Sequence, residues 1–115
     1  MTTIYGIKTC DTMKKARNWL EERGITHRFH DYKAEGIDRT HLERWADETS
    51  WETLLNRAGT TFRKLSDAEK TDLSRDKAID LMLAQPSLIK RPVLEAEGAI
   101  TVGFKPEIYA KLFSR

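Results

Sequence analysis

The spacing of hydrophobic residues changes at Cys10. Residues 3–7 form a short apolar run rich in β-formers, which predicts a strand. The apolar positions that follow recur at helical spacing and are Met13, Ala16, Trp19 and Leu20. This pattern predicts a helix that begins near Cys10, extends to about Arg23 and ends at Gly24.

The next segment has a mixed pattern of polar and apolar residues. Residues 25–32 contain Ile25, Phe29 and Tyr32 among histidine, arginine and aspartate. The aromatic and β-branched residues favour a second strand here, although the alternation is imperfect.

Residues 38–85 have helical spacing and cap signals, with no strand-like alternation. Asp38, Ser66 and Ser74 each precede a helical run, and Glu69 completes a capping box with Ser66. The predicted buried positions are Leu42, Trp45, Ala46, Trp51, Leu54, Leu55, Ala78, Leu81 and Met82. We expect a block of helices that ends at Pro86.

The C-terminal part predicts a hairpin followed by a helix. Residues 93–96 and 99–103 are rich in β-formers and flank Glu97-Gly98, a pair suited to a tight turn. Pro106 stands at the first position of a last helix. Its predicted buried stripe consists of Ile108, Tyr109, Leu112 and Phe113.

Cys10 is the only cysteine of the chain, and the pattern places it at a helix N-terminus. Free backbone N–H groups and the positive end of the helix dipole favour a thiolate there. Lys8, Lys14 and Lys15 would act in the same direction. A lone cysteine is often a buried, inert hydrophobe, but the polar flanks of Cys10 favour a reactive thiol with a lowered pKa.

Composition limits the protein to one domain of 115 residues. A formal charge of +2 is too small to indicate a nucleic-acid or membrane surface, and no apolar run approaches the length of a membrane span. A single cysteine and an N-terminus without a signal-peptide pattern predict a cytoplasmic protein.

The three histidines do not form a metal-binding pattern. His27, His30 and His41 lack a cysteine partner and the helical spacing of zinc motifs. We therefore expect solvated or structural histidines and no metal.

Three ordered motifs resemble the thioredoxin-like arsenate reductase (ArsC) family, and within it the small YffB-type proteins. The first motif surrounds Cys10 in Tyr-Gly-Ile-Lys-Thr-Cys-Asp-Thr-Met-Lys-Lys, the second spans residues 54–63, and the third spans residues 88–94 with Arg91-Pro92. The resemblance covers most of the chain. It implies an α/β thioredoxin-like fold with a mixed four-stranded sheet, whose halves at about 1–36 and 87–115 are separated by a helical insertion at about 37–86.

The resemblance also implies a site around Cys10. Pro92 would be preceded by a cis bond and lie across from the thiol, with Asp11 and Thr12 as structural residues and Arg91 as the leading anion-binding group. Arg57 is favoured over Arg63 as a second cation because it lies in a polar loop. Lys105 replaces an arginine of the arsenate reductases, and Lys8 is a further candidate. An arginine fork suits a carboxylate or an arsenate-type oxyanion better than a lysine does.

Two departures from the family limit what can be transferred. The chain lacks the His-Asn-Pro run of the arsenate reductases before Cys10, and Met13 occupies the second position of the Cys-x-x-Cys switch of Spx-type regulators. The expected function is a glutathione-dependent thiol/disulfide reductase, monomeric and acting on an unidentified disulfide or oxyanion, with Cys10 resolved by an external thiol. The alternatives are a non-catalytic Spx-like protein that binds a protein partner and, third, an arsenate reductase.

Overall fold

The computed structural model describes residues 2–114. Its elements in chain order are β1 (Thr2–Gly6), α1 (Asp11–Glu22), β2 (His27–Asp31), α2 (Tyr32–Glu35), α3 (Arg39–Glu48), α4 (Trp51–Leu54), α5 (Thr60–Arg63), α6 (Asp67–Lys70), α7 (Arg75–Ala84), a 3₁₀ turn (Pro86–Leu88), β3 (Val93–Ala96), β4 (Ala99–Val102) and α8 (Pro106–Phe113). The chain divides into two compact units. The first combines residues up to Glu35 with residues from Arg91 onward, and the second spans Gly36–Lys90.

The first unit is built on a mixed four-stranded sheet in the order β2-β1-β3-β4. β1 pairs with β2 in parallel and with β3 antiparallel, and β3 forms the predicted hairpin with β4. Within the register, Tyr5 of β1 lies opposite His30 of β2 and Val93 of β3. These connections confirm the α/β, thioredoxin-like fold that the sequence predicts.

One face of this sheet carries the hydrophobic core of the first unit. Ile4 and Leu94, which are paired in the register, pack with residues of α1 and with Tyr109 of α8. The buried positions of α1 are Met13, Ala16, Trp19 and Leu20, as the helical spacing predicts. Because side chains alternate across a strand, Tyr5 and Glu95 belong to the opposite face.

The hairpin turn has the backbone that its sequence indicates. Glu97 and Gly98 both have positive φ angles, of 53° and 72°. Two consecutive residues with positive φ match the twist of the flanking strands. The turn therefore fixes the register in which Ala96 pairs with Ala99.

The second unit consists of short helices with polar caps. Asp38, Ser50, Ser66 and Ser74 accept hydrogen bonds from backbone N–H groups of the helices that they precede, and Ser66 with Glu69 forms a capping box. The fully buried side chains include Leu42, Trp45, Leu54, Leu55, Ala78, Ile79, Met82, Leu88 and Ile89. An isolated antiparallel bridge joins Leu55 to Ile89, so this block contains one β contact that helical spacing did not indicate.

Several local predictions were wrong. Ile108 is 45% exposed, because α8 turns Tyr109 rather than Ile108 toward the core. In α7, Ile79 is buried whereas Leu81 is only partly buried. Tyr32 does not end the second strand but begins α2, and its side chain is almost fully buried. No helix within residues 2–114 combines the length and apolar character needed to cross a membrane.

Candidate active site around Cys10

The site begins where β1 gives way to α1. Cys10 is the N-cap residue of α1, with an extended backbone, and its carbonyl accepts the N–H of Lys14 at 3.1 Å. Cys10 donates its own N–H to the Ile7 carbonyl at 3.2 Å, which closes the turn through Lys8 and Thr9. The thiol is therefore fixed at the first turn of a 12-residue helix, where unpaired N–H groups are available.

A close approach of strand and helix stabilises this junction. A Cβ on Gly6 would lie 2.2 Å from the Sδ atom of Met13, which is fully buried. Only glycine leaves room there, so Gly6 is needed for steric reasons.

The Cys10 thiol is partly exposed and surrounded by donors. Partial burial tends to raise its pKa, but three groups act in the opposite direction and the net pKa is lowered. These are, in order, the backbone N–H of Met13, the side chain of Arg91, and the backbone N–H of Thr12, which favour the thiolate over the thiol. Hydrogen bonds and positive charge stabilise the thiolate relative to the thiol.

The direction of this pKa shift agrees with the sequence prediction, but its causes do not. We expected contributions from Lys8, Lys14 and Lys15. The groups responsible are instead two N–H groups of α1 and Arg91. Lysine ammonium groups on flexible, exposed side chains are screened by water, whereas the N–H groups are held in place by the helix.

Arg91 stands next to the thiol although it is distant in sequence. Its guanidinium donates a hydrogen bond to Cys10, and its positive charge adds a further favourable contribution. The predicted cis bond between Arg91 and Pro92 is confirmed, and Pro92 is buried. The first unit thus brings together the two residues that the sequence placed at the centre of the site.

The other predicted site residues of the first unit lie in the first turn of α1, in the loop before Cys10 and at the start of α8. Asp11 and Thr12 form the first turn of α1, with Asp11 exposed. Lys8 is exposed in the loop before Cys10, and Lys105 is the exposed N-cap residue of α8. Their roles in binding an anion stay predictions.

Arg57 and Arg63 belong to the second unit. Arg57 is exposed in a turn, and its guanidinium lies 5.4 Å from the centre of the Trp51 ring. Arg63 is the last residue of α5 rather than a loop residue, and it donates a hydrogen bond to the Ala58 carbonyl at 2.9 Å. Arg57 is thus the one that lies in a loop, as predicted, and the choice between them as a binding residue stays a prediction.

Sequence reasoning missed a group of polar side chains on the sheet face opposite the hydrophobic core. Tyr5 donates a hydrogen bond from its hydroxyl to Glu95 at 2.8 Å, and Tyr32 is buried nearby. Alternation along β3 could have indicated that Glu95 shares a face of the sheet with Val93. Tyr32 gave no signal, because it was assigned to the hydrophobic side of a strand.

The histidines are placed in polar contacts. His41 contacts Asp38 at 2.7 Å, and His27 lies 2.9 Å from the Ile25 carbonyl. Within the described part of the chain, no group of three or more histidine, cysteine, aspartate or glutamate side chains could hold a metal ion.

The mixed sheet, the cysteine at the N-terminus of α1 and the arginine before a cis-proline together define a thioredoxin-like domain with an activated thiol. The sequence profile of the ArsC family matches residues 5–112, and the chain belongs to that family.

Individual relatives agree with this assignment. An uncharacterised protein of Haemophilus influenzae is 38% identical over 99% of this chain and 100% of its own length. The solved structure of the YFFB protein is 64% identical and superposes with a TM-score of 0.96 over 97% of this chain and 98% of that one.

Two further relatives carry functional names. A solved ArsC-related protein from Brucella melitensis is 57% identical, with a TM-score of 0.77 over 99% of this chain and 95% of its own. The global transcriptional regulator Spx of Streptococcus pyogenes is 26% identical over the whole of this chain and 87% of its own length.

Proposed function

We propose that this protein is a glutathione-dependent thiol/disulfide reductase in which Cys10 is the nucleophile. The observation that carries the proposal is the position of Cys10 at the N-terminus of α1, where the N–H groups of Met13 and Thr12 and the Arg91 side chain lower the pKa of the thiol. A thiolate, not a thiol, attacks disulfides and oxyanions.

The reaction would proceed through mixed disulfides. The Cys10 thiolate attacks one sulfur of a substrate disulfide, so that one S–S bond forms and one breaks, and the departing thiolate takes a proton from solvent. A glutathione thiolate then releases the second substrate thiol, and a second glutathione regenerates the Cys10 thiolate. In total, two glutathione thiols are oxidised to one disulfide while one substrate disulfide is reduced to two thiols.

The cysteine count supports an external resolving thiol. With one cysteine per chain, Cys10 cannot be resolved by a second thiol of the same chain. Glutathione carries two carboxylates, and a guanidinium binds a carboxylate through paired charge-assisted hydrogen bonds. Arg91 is the cation next to the sulfur, so it would contact the glutathione first. Lys105, Lys8, Arg57 and Arg63 are secondary candidates.

The names of relatives support the reaction class. The Brucella melitensis protein is described as related to arsenate reductase, an activity that also requires a nucleophilic thiol. We place disulfide reduction first because the chain lacks the His-Asn-Pro run before Cys10.

The test is intact-mass spectrometry after incubation with oxidised glutathione. We expect one glutathione adduct on the wild-type chain, none on Cys10→Ser, and much slower formation on Arg91→Ala. A charge-assisted hydrogen bond contributes about 1.5–3 kcal/mol, which corresponds to a loss of roughly 10-fold to 150-fold. Addition of reduced glutathione should then remove the adduct.

A neutral disulfide, bis(2-hydroxyethyl) disulfide, is the matched control. Its rate of reaction with Cys10 should depend only on the fraction of thiolate. The ratio of the rate with oxidised glutathione to the rate with the neutral disulfide should therefore be lower in Arg91→Ala than in the wild type. If the neutral disulfide modifies Cys10 readily while oxidised glutathione does not, the thiol is reactive but the proposed co-substrate is wrong.

The similarity to Spx over the whole chain favours one alternative, a protein that acts by binding a partner. The two functions differ in their need for the sulfur. A strain that lacks the protein should be rescued by Cys10→Ser if binding is the function, and should not be rescued if the protein is a thiol reductase.

A further inference from the structure

The loop at residues 56–59, between α4 and α5, is anchored where it begins. The N–H of Asn56 donates to the Leu88 carbonyl at 2.7 Å. This hydrogen bond adjoins the isolated antiparallel bridge between Leu55 and Ile89, and both of those side chains are buried. The chain therefore enters the loop from a segment that is fixed in the core of the second unit.

Arg63 of α5 holds the other end of this loop. Its guanidinium donates to the Ala58 carbonyl at 2.9 Å, and its backbone N–H donates to the Gly59 carbonyl at 3.3 Å. The carbonyl of Arg63 in turn accepts a hydrogen bond from the Lys70 ammonium at 2.8 Å. One residue thus binds two successive carbonyl groups of the loop, and α6 holds that residue in place.

The two ends of the loop also contact each other. A Cβ on Gly59 would lie 2.8 Å from the Nδ2 atom of Asn56, so a methyl group there would overlap the Asn56 amide. Glycine at this position lets the amide pack against the backbone. The loop is therefore closed on itself, and Arg57 and Ala58 are its exposed residues.

The Arg57 side chain has an aromatic support. Its Cζ atom lies 5.4 Å from the centre of the Trp51 ring, which is within the range of a cation–π contact. Among residues 2–114, Arg57 forms no ion pair with a carboxylate. Arg75 of the same unit, by contrast, is paired with Asp47 at 2.8 Å. Arg57 is thus an exposed cation that is held on a ring and is not neutralised by an acidic side chain.

We propose that Arg63 and Asn56 are positioning residues for Arg57, and that Arg57 is preorganised to bind a carboxylate. Binding normally immobilises a long side chain at a cost in conformational entropy, and a guanidinium that a fixed loop already holds on a ring loses less freedom. The inference rests on the proposed function in one respect, since it takes the carboxylate to be that of glutathione. It gives the two arginines different roles, one in binding and one in positioning.

The first experiment measures the order of the loop by NMR, as the heteronuclear NOE of the backbone amides of residues 57–59 in the protein without ligand. Arg63→Met removes the guanidinium and keeps an unbranched side chain. We expect the NOE values of these amides to fall, because the contact with the Ala58 carbonyl is lost. Unchanged values overturn the positioning role of Arg63.

The second experiment measures the rate of adduct formation on Cys10 against the concentration of oxidised glutathione. Arg57→Ala should raise the half-saturating concentration at least about 10-fold, as expected for a lost charge-assisted hydrogen bond. Arg63→Met should raise it roughly 2-fold to 10-fold, the cost of ordering one long side chain. In the Arg57→Ala background, Arg63→Met should have no further effect, because the group that it positions is absent.

Arg75→Met is the matched control. Arg75 also belongs to the second unit and also donates to a backbone carbonyl, that of Glu43 at 3.3 Å. The control variant loses the same charge and a similar contact, and it should leave both the loop NOE values and the half-saturating concentration unchanged. Effects equal to those of Arg63→Met would overturn the proposal, because loss of charge or stability would then explain both.

Gly59→Ala disturbs the same loop from its other side, by displacing the Asn56 amide. It should lower the NOE values and raise the half-saturating concentration, as Arg63→Met does. Should Arg63→Met fail to fold, Gly59→Ala in the same two measurements decides.

The two measurements separate this inference from the proposed function. If no glutathione adduct forms on the wild type, the co-substrate is wrong, and the NOE values alone decide whether Arg63 positions Arg57. If the adduct forms with equal saturation in the wild type and Arg57→Ala, the co-substrate stands and the binding role of Arg57 is rejected. Additive effects of Arg57→Ala and Arg63→Met reject the division of roles, because Arg63 would then bind the carboxylate itself.

Discussion

Arg91 donates a hydrogen bond to the sulfur of Cys10 across a separation of 81 positions in the sequence. The sheet makes this contact possible, because β1 and β3 are paired strands. Cys10 follows β1 through a short turn, and Arg91 lies two residues before the first residue of β3. The activation of the thiol thus depends on the pairing of two distant strands.

The first prediction concerns the charge on Arg91. Arg91→Ala should raise the pKa of Cys10, because the variant loses both a hydrogen bond and a positive charge that favour the thiolate. Alkylation near neutral pH should slow, while the limiting rate at high pH, where the thiol is fully ionised, should be little changed.

Lys105→Ala and Lys8→Ala are the comparison variants, since both remove an exposed positive charge from the first unit. They should leave the pKa of Cys10 almost unchanged. A shift as large as that of Arg91→Ala would show that general positive charge, rather than the contact with Arg91, activates the thiol.

The second prediction concerns the junction of β1 and α1. Gly6→Ala should lower the free energy of unfolding by about 1–3 kcal/mol, the usual range for overpacking, because the new methyl group would overlap Met13. Chemical denaturation measures the loss. The loss should be smaller in a Met13→Ala background, and an equal loss in both would exclude the clash as its cause.

The third prediction concerns the N-cap of α3. Asp38 accepts the N–H of His41 at 2.8 Å and its ring nitrogen at 2.7 Å, and these contacts lower the pKa of Asp38. Asp38→Ala should cost about 1 kcal/mol in the free energy of unfolding, whereas Asp38→Asn keeps a cap acceptor and should cost less.

The pH dependence of Asp38 has a definite sign. Because the folded pKa lies below the ordinary value of 3.8, the carboxylate contributes stability above that pH and loses it as the pH falls through the folded pKa. The difference between wild type and Asp38→Asn should therefore shrink in acid. A difference that stays constant from pH 7 to below pH 3 would contradict this account.

The fourth prediction concerns the hairpin turn. Glu97 has a positive φ of 53°, a region that costs roughly 1–2 kcal/mol for a residue with a Cβ. Glu97→Gly should raise the free energy of unfolding by up to about 1 kcal/mol, after allowing for the greater flexibility of glycine in the unfolded chain. Gly98→Ala should have the opposite sign, and thermal denaturation of both variants compares them directly.

Local sequence patterns determined much of the fold. The helix after Cys10, the caps at Asp38, Ser66 and Ser74, and the Glu97-Gly98 turn each depend on a few neighbouring residues, and all were predicted. The burial of Tyr109 beside an exposed Ile108 could not be read in the same way. Which side of α8 is buried depends on how the helix packs against the rest of the first unit. That packing is a property of the tertiary structure and not of the local sequence.

The candidate site was likewise predicted from the sequence only in part. The sequence by itself indicated Cys10 as the candidate nucleophile, since there is one cysteine and its flanks predict a helix N-terminus. It also provided the three ordered motifs that resemble the ArsC family.

The tertiary structure decided which groups lower the pKa of the thiol, because hydrogen bonds depend on distance and direction. Thus Arg91 and the N–H groups of Thr12 and Met13 act on the sulfur, whereas the neighbouring lysines are not among the groups responsible. The tertiary structure alone also revealed the hydrogen bond from Tyr5 to Glu95, since strand pairing brings together polar residues that are far apart in the chain.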